Sequence, residues 1–228
     1  MDILLLPEDA IHGSGFSRQT LFPFLELVPA TADGSQPCFD DVDHDNFVLR
    51  NLSCLAHDQG IYLAAQMASR TPGCGHCGEE HGEECYFNTL VVFDSNGILV
   101  GVYHKYNLWT SELNTFDIDP NGPQLVTVDT PFGRLGLSVC ADLIWQSPVV
   151  DLVDLAAVDT LLVPLYWSVQ VGNTPLKLAI SFPKIKIVPQ GGTSFPTSSP
   201  TVRKPLGLAA SRCPLSHFFH LFSIHTLL

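Results

Sequence analysis

Three side chains that together support amide hydrolysis each follow an apolar, strand-like run of this sequence. They are Glu8, Lys105 and Cys140. A cysteine thiol is mostly protonated at neutral pH, so a carboxylate base must take its proton before it attacks a carbonyl carbon. The attack places negative charge on the carbonyl oxygen, which a lysine ammonium and a backbone N–H can stabilise. The carboxylic acid then protonates the departing amine and later activates water against the thioester.

The stretch Leu135–Trp145 surrounds the candidate nucleophile. It reads L-G-L-S-V-C-A-D-L-I-W, an apolar strand-like run that stops at Cys140 and is followed by an apolar segment of helical period. A strand–turn–helix of this kind lifts a small reactive side chain clear of the sheet, and N–H groups at the helix start face a developing oxyanion. A lone cysteine at a strand end is more often a small buried hydrophobe, so the other elements must decide its role.

The elements along the chain alternate in type, which predicts an α/β domain with mixed sheets. Turn sequences D-S-N-G and P-F-G join two pairs of strands into hairpins. Ligands bind at strand ends in α/β sheets, which agrees with the position of the three side chains. Strand-like runs occupy residues 2–6, 61–66, 86–93, 98–103, 124–130, 134–139 and 160–167, and helical periods occupy residues 47–57 and 149–157.

Charge divides the chain into two parts. The net charge of −12 argues against nucleic acid as a partner. All 23 acidic residues lie at or before Asp159, whereas six of the 11 basic residues lie after residue 170, among many prolines and serines. We therefore predict a folded domain over residues 1–170 and a Pro/Ser-rich, poorly ordered tail over residues 171–228.

Targeting signals and cysteines bear on the compartment. The N-terminal sequence lacks a basic segment, which predicts no signal peptide, and no apolar run is long enough for a transmembrane helix. Apart from Cys140 there are six cysteines, an even number that is compatible with an oxidising compartment. Disulfide bonding is favoured over a zinc site for C-x2-C-x3-H-x3-C, and free thiols are a third alternative. The pattern consists of Cys74, Cys77, His81 and Cys85, and the connectivity stays open for Cys38, Cys54, Cys74, Cys77 and Cys85.

Five segments together resemble the carbon–nitrogen hydrolase (nitrilase) superfamily, and within it the biotinidase/vanin branch. They read P-E-D-A-I-H-G, Y-F-N-T-L-V-V-F-D-S-N-G, Y-H-K-Y-N-L, T-P-F-G-R-L-G and V-D-T-L-L-V-P-L-Y-W, and the match spans residues 1 to about 169. The first segment resembles P-E-D-G-I-H-G of the branch, with Ala10 in place of a glycine. The resemblance implies part of a nitrilase-like αββα sandwich, incomplete at both ends.

The resemblance also implies a role for five residues. Glu8 is expected to be the proton acceptor, Lys105 the proton donor and oxyanion-stabilising cation, and Cys140 the nucleophile. Glu112 in N-L-W-T-S-E matches a second glutamate that orients the lysine. The backbone N–H of Ala141 is expected to complete the oxyanion site, although branch members commonly carry an aromatic residue there. We expect no cofactor and no metal ion to take part.

A specific activity follows from the resemblance. It implies a vanin-like amidase that hydrolyses a linear amide, pantetheine, to pantothenate and cysteamine, so the partner is a small-molecule amide. A biotinidase-like activity on biotinyl amides is one alternative, and a truncated, catalytically inactive chain is another. Branch members are secreted or carry a GPI anchor, which makes Asn51 in the sequon N-L-S a candidate glycosylation site.

Overall fold

Two β-sheets stack face to face, and each carries helical segments on its outer face. The structure is a computed structural model, and it describes residues 3–40, 46–72, 84–166 and 186–190. The layers follow the order helix, sheet, sheet, helix. This arrangement confirms the α/β class with mixed sheets and the αββα sandwich that the sequence predicts.

The first sheet has its strands in the order β1-β3-β4-β5, and β2 also pairs with β3. The strands are β1 (Ile3–Leu5), β2 (Glu26–Leu27), β3 (Tyr62–Pro72), β4 (Glu84–Phe93) and β5 (Leu99–His104). β1 and β2 run parallel to β3, whereas β4 runs antiparallel to both β3 and β5. β1 and β5 therefore point the same way, and their carboxyl ends lie at the same edge of the sheet.

The second sheet has the strand order β6-β7-β8-β9. Its strands are β6 (Thr127–Thr130), β7 (Gly133–Leu137), β8 (Thr160–Pro164) and β9 (Lys186–Gln190). β6 and β7 form the predicted antiparallel hairpin, and β7, β8 and β9 are parallel. β9 comes from the range 171–228; the rest of that range lies outside the described residues, and the predicted tail stays a prediction.

One predicted helix is present at its full length, another is shorter, and one short helix was not predicted. They are α1 (Arg18–Leu21), α2 (Phe47–Gln59) and α3 (Asp151–Asp154), with 3₁₀ turns at Phe22–Phe24, Thr31–Asp33 and Cys140–Ile144 and a π turn at Gln146–Val150. α2 confirms the prediction for residues 47–57 and ends at left-handed Gly60. The helix predicted over residues 149–157 is present in part, because the π turn at Gln146–Val150 continues into α3 and the helical backbone stops before Ala157. Ser147, which precedes Pro148, is extended, and Ala157 has a positive φ, so only a short helix fits between them.

Apolar side chains on both faces of the sheets form three hydrophobic layers. β8 shows the arrangement, because Leu162 packs between the sheets while Leu161 and Val163 face the outer helical layer. A strand buried on both faces reads as a continuous apolar run, which explains the sequence T-L-L-V-P. The layer outside the first sheet contains Leu49, Leu52 and Ala56 of α2 against Leu63, Ala65, Met67, Val91, Phe93 and Leu99.

The structure confirms disulfide bonding for some of the cysteines. Cys38 and Cys54 are bonded to each other, which ties the loop before α2 to the helix. Cys85 is also disulfide-bonded. A disulfide sulfur is not a thiolate, so Cys85 cannot serve the zinc alternative. The other two cysteines of the pattern, Cys74 and Cys77, lie outside the described residues.

The turn between β4 and β5 is hydrogen-bonded to α2 through the hydroxyl group of Ser53. Ser53 Oγ donates a hydrogen bond of 2.6 Å to the carbonyl oxygen of Gly97 and accepts one of 3.0 Å from the backbone N–H of Cys38. Gly97 has a φ of +79°, and a Cβ atom there would lie 2.5 Å from the carbonyl oxygen of Ser53. Glycine is therefore required at this turn for two separate reasons.

Replacing Gly97 with alanine should destabilise the fold more than the same change at Gly122. Both glycines have positive φ, so each substitution costs about 1–2 kcal/mol of backbone strain. Only at Gly97 does the new methyl group also clash with α2, which adds about 1–3 kcal/mol. Urea denaturation of G97A and G122A measures the difference, and equal losses of unfolding free energy would contradict the packing seen at this turn.

Candidate active site

The ends of three strands bring the predicted catalytic side chains to one place. Glu8 follows β1, Lys105 follows β5, and Cys140 follows β7 of the second sheet. All three line one cavity of about 350 Å³. The shared direction of β1 and β5 explains why side chains 97 residues apart meet at a single edge.

A buried ammonium group lies at the centre of the site. Lys105 is 2% exposed, and its Nζ donates one hydrogen bond of 2.8 Å to Glu8 Oε1 and another of 2.7 Å to Glu112 Oε2. Burial alone would lower the pKa of Lys105, but the negative charges of Glu8 and Glu112 outweigh it and raise that pKa. Lys105 therefore stays protonated, and the predicted contact with Glu112 is present.

Asn88 on β4 is a site residue that the sequence analysis missed. Its Nδ2 donates to Glu8 Oε1 at 3.2 Å and to Glu112 Oε1 at 2.8 Å, so one amide connects both carboxylates that flank the lysine. The backbone N–H of Lys105 donates to the carbonyl oxygen of Asn88 at 2.8 Å, which fixes the two residues side by side. The signal in the sequence was an asparagine inside the apolar run Y-F-N-T-L-V-V-F. In the structure this asparagine is fully buried.

The geometry at Cys140 differs from that of an ordinary core cysteine. The residue is 8% exposed and has a φ of +43°, a strained conformation for a residue with a side chain. It begins a 3₁₀ turn rather than the α-helical segment that the periodicity predicts. Burial and the negative charge of Glu8 raise the pKa of Cys140, and the positive charge of Lys105 only partly opposes them. The thiol is therefore protonated at neutral pH.

The backbone of Tyr166 touches both the thiol and the carboxylate. Its N–H donates to Glu8 Oε2 at 3.2 Å, and its carbonyl oxygen accepts a long hydrogen bond of 3.9 Å from Cys140 Sγ. Tyr166 lies just beyond β8, in the second sheet. The second sheet thus contributes to the placement of Glu8 as well as of Cys140.

Asp142 holds the turn that carries the cysteine, and the sequence analysis did not assign it a role. It is fully buried, and its carboxylate accepts four hydrogen bonds. The donors are the Tyr103 hydroxyl, the backbone and side-chain N–H groups of Asn107, and the Val139 N–H, all at 2.8–2.9 Å. Burial raises the pKa of Asp142, while these donors act in the opposite direction. The strained turn is therefore held from several elements.

The cavity wall combines carboxylates with aromatic rings. Asp9 is next to Glu8, and burial together with the charge of Glu8 raises its pKa from 3.8 to about 7. Ala141 is buried and lines the cavity directly after the cysteine, where the oxyanion donor is expected. The wall also includes Phe16, Trp109, Phe116 and Tyr166.

The candidate glycosylation site lies outside this cluster. Asn51 is exposed on α2, and its Nδ2 donates to the carbonyl oxygen of Phe47 at 2.7 Å. The serine of the sequon, Ser53, is completely buried. Glycosylation of Asn51 stays a prediction.

Neither a cluster that could hold a metal ion nor a membrane-spanning helix occurs in the described ranges of the chain. No group of three or more His, Cys, Asp or Glu side chains there is arranged to hold a metal ion. No helix in the same ranges has both the length and the apolar character needed to cross a bilayer.

Similarity to known proteins now decides the family. The profile described as "Carbon-nitrogen hydrolase" matches residues 1–177. This chain belongs to the carbon–nitrogen hydrolase family. Over 169 residues it is 39% identical to pantetheinase from Mus musculus, covering 72% of this chain and 32% of that protein. Over 173 residues it is 40% identical to biotinidase from Takifugu rubripes, covering 72% and 33%. The predicted family and its biotinidase/vanin branch are confirmed.

These matches cover only part of the related proteins. The carbon–nitrogen hydrolase chain spans about a third of the length of the curated relatives it matches. Among solved structures, it resembles a crystal structure of N-terminal amidase with a TM-score of 0.54 and 18% sequence identity, covering 78% of this chain and 42% of that one. At this identity the likeness supports the fold alone.

In this carbon–nitrogen hydrolase, Asp142→Ala should destabilise the protein far more than Tyr103→Phe. The alanine variant leaves four buried donors without their acceptor, which we expect to cost at least about 3 kcal/mol. The phenylalanine variant removes a single donor and should cost about 1 kcal/mol. Urea denaturation compares the two. Similar losses would show that Asp142 does not hold the turn together.

The raised pKa of Asp9 predicts how stability depends on pH. The folded state binds the Asp9 proton more tightly than the unfolded state, because the pKa rises from 3.8 to about 7 on folding. This contribution to stability is present at low pH and is lost as pH rises through about 7. The unfolding free energy of wild type relative to Asp9→Asn should therefore fall from about pH 4 to about pH 8.

Asp154→Asn is the control for the change in net charge, because Asp154 is exposed on α3. A difference between wild type and D9N that rises with pH, or that stays constant, would contradict the burial of a protonated Asp9.

Proposed function

We propose that this chain is an amidase that hydrolyses a linear carbon–nitrogen amide bond through a thioester on Cys140. One observation carries the proposal: Glu8, Lys105 and Cys140 line a single cavity at the ends of three strands. Family membership supplies the reaction class, and the placement of these side chains supplies the three groups that the reaction needs.

The first half of the reaction forms the thioester. Glu8 accepts the thiol proton of Cys140, and the sulfur attacks the carbonyl carbon of the amide. The carbonyl oxygen becomes an oxyanion, which the Lys105 ammonium and the N–H of Ala141 stabilise. The tetrahedral intermediate then collapses as the C–N bond breaks. Glu8 returns the proton to the nitrogen, and the amine leaves.

The second half restores the enzyme. Glu8 takes a proton from water, and the resulting hydroxide attacks the thioester carbonyl. The same oxyanion donors stabilise the second intermediate. The C–S bond breaks, the carboxylic acid product leaves, and the proton on Glu8 returns to the sulfur of Cys140. Atoms and charge balance with one water consumed for each amide cleaved.

The electrostatics of the site support this division of roles. The raised pKa of Cys140 means that the thiol is protonated at rest, so the reaction depends on a base within reach. Glu112 and Asn88 hold Lys105 and Glu8 in place without being consumed. The charge on Lys105 is preserved by its two carboxylate neighbours, and an ammonium that stays protonated is what oxyanion stabilisation requires.

Pantetheine is the substrate that we propose, giving pantothenate and cysteamine. The proposal takes this from the 39% identity to pantetheinases. Biotinyl amides are the second candidate, supported by the 40% identity to a biotinidase. The disulfides fit an oxidising compartment, so we also propose an extracellular location, where Asn51 would be glycosylated.

Replacing Cys140 with alanine should abolish hydrolysis. We expect a loss in kcat of at least about 10³-fold for C140A, because the variant lacks the thiol that attacks the carbonyl carbon. Glu8→Gln should lose about 10²–10⁴-fold, because glutamine cannot carry the proton. Release of cysteamine from pantetheine and release of biotin from biotinyl-lysine are the two measurements.

Glu84→Gln is the matched control for Glu8→Gln. Glu84 pairs with Arg70 and does not line the cavity, so its loss should change kcat by less than about twofold. Cooperative unfolding must first show that each variant is folded. A folded wild-type chain that hydrolyses neither amide, or a C140A variant that keeps its activity, would overturn the proposed function.

A further inference from the structure

The loop that carries Glu8 is hydrogen-bonded to the buried side-chain amide of Gln66, a residue that the proposed mechanism does not use. Gln66 lies in the middle of β3 and is completely buried. Its Oε1 accepts a hydrogen bond of 2.8 Å from the backbone N–H of Asp9, the residue after Glu8. Gln66 therefore contacts the chain one residue from the candidate base, from the neighbouring strand.

The hydrogen bond between Asp9 and Gln66 lies just beyond the last backbone hydrogen bond between β1 and β3. β1 pairs with β3 up to the N–H of Leu6, which donates to the carbonyl oxygen of Ala64 at 2.9 Å. Pro7 follows and has no N–H to donate. The side chain of Gln66 then takes the place of a backbone acceptor for Asp9. The pairing of the loop with β3 is thereby extended past the proline.

The backbone at this point needs such support. Asp9 has a φ of +60°, the left-handed region that residues with a side chain seldom adopt. The conformation turns the chain directly after Glu8, and the hydrogen bond to Gln66 is one of the contacts that hold it. A turn of this kind costs energy and persists only when its surroundings fix it.

His12 fixes the direction of the Gln66 amide. The Nδ1–H of His12 donates to the carbonyl oxygen of Gly13 at 2.7 Å, which leaves Nε2 as an acceptor. Gln66 Nε2 donates to that nitrogen at 3.3 Å. Burial lowers the pKa of His12, which favours the neutral ring that this arrangement requires. With its nitrogen end occupied, the amide must present its oxygen to Asp9.

We propose that Gln66 is a positioning residue for Glu8, and that His12 sets the orientation of the Gln66 side chain. The inference rests on the proposed function, because it affects the reaction only if Glu8 is the base. Gln66 is fully buried and does not line the active-site cavity, so it acts through the Glu8 loop and not on the substrate.

Gln66→Leu is the first test. Leucine keeps the approximate size but removes both hydrogen bonds, so the loop relaxes and Glu8 shifts relative to Cys140. A misplacement of about 1 Å costs about 10²-fold in kcat. We expect the KM to change by less than about threefold, since only the base is displaced.

His12 is tested by two substitutions that differ in one property. Glutamine at this position offers an acceptor to Gln66, whereas leucine does not. His12→Gln should stay within about threefold of the wild-type kcat, and His12→Leu should fall by about tenfold, as expected for one lost hydrogen bond. Both variants remove the ring from the cavity wall, so a role of the ring in substrate binding would affect them equally.

Ser53→Ala controls for general destabilisation. Ser53 is as buried as Gln66 and also bonds the backbone, but it ties α2 to a turn away from the cavity. Its loss should lower the unfolding free energy and leave kcat within about twofold of wild type. A positioning role is thereby separated from loss of stability.

A measurement that needs no substrate separates this inference from the proposed function. The negative charge of Glu8 raises the pKa of the Cys140 thiol. Displacing Glu8 should therefore move the pH midpoint of Cys140 alkylation by iodoacetamide to lower pH. Mass spectrometry of the Cys140 peptide follows the reaction. The midpoint should fall in Q66L and in E8Q, and it should not move in S53A.

The outcomes are distinct. A wild-type chain without amidase activity, in which Q66L still lowers the alkylation midpoint, would overturn the proposed function and keep the link between Gln66 and Glu8. A Q66L variant with wild-type kcat and midpoint would overturn the inference. A loss of kcat in Q66L that S53A matches would overturn it as well.

Discussion

The buried ammonium of Lys105 is the constraint on which the rest of this structure depends. Moving a charged group out of water costs several kcal/mol unless charges and hydrogen bonds compensate it. Glu8 and Glu112 supply the charges, and Asn88 joins them through its amide. These partners come from the loop after β1, from β4 and from the segment after β5, so the fold must hold separate strands in a fixed relation to keep the charge buried.

The second sheet adds the strained cysteine to this charge cluster. Cys140 has a positive φ, and the carboxylate of Asp142 collects donors from β5, from the loop after β5 and from the cysteine turn itself. The same network joins the two sheets across their shared hydrophobic layer. Strain at the thiol is therefore balanced by a buried polar network, and not by the apolar core alone.

The catalytic candidates could be predicted because their chemistry is visible in the residue types and in short motifs. Glu8, Lys105 and Cys140 each follow an apolar run, and local pattern is enough to find a strand end. The helix predicted over residues 149–157 is shorter in the structure, because the positive φ of Ala157 ends the helical backbone, which the apolar period does not reveal. Asn88 and Asp142 were missed, because their roles depend on partners from other elements.

By itself the sequence determined the residue types, the strand and hairpin pattern and the family, because these follow from local periodicity and from motifs. Only the tertiary structure decided which polar groups meet. The parallel pairing of β1 with β3 brings the side chain of Gln66 within hydrogen-bond distance of the Asp9 backbone, and the antiparallel pairing of β4 with β5 puts Asn88 beside Lys105. Strand register is set by long-range packing, and a shift of one residue would turn each side chain to the other face.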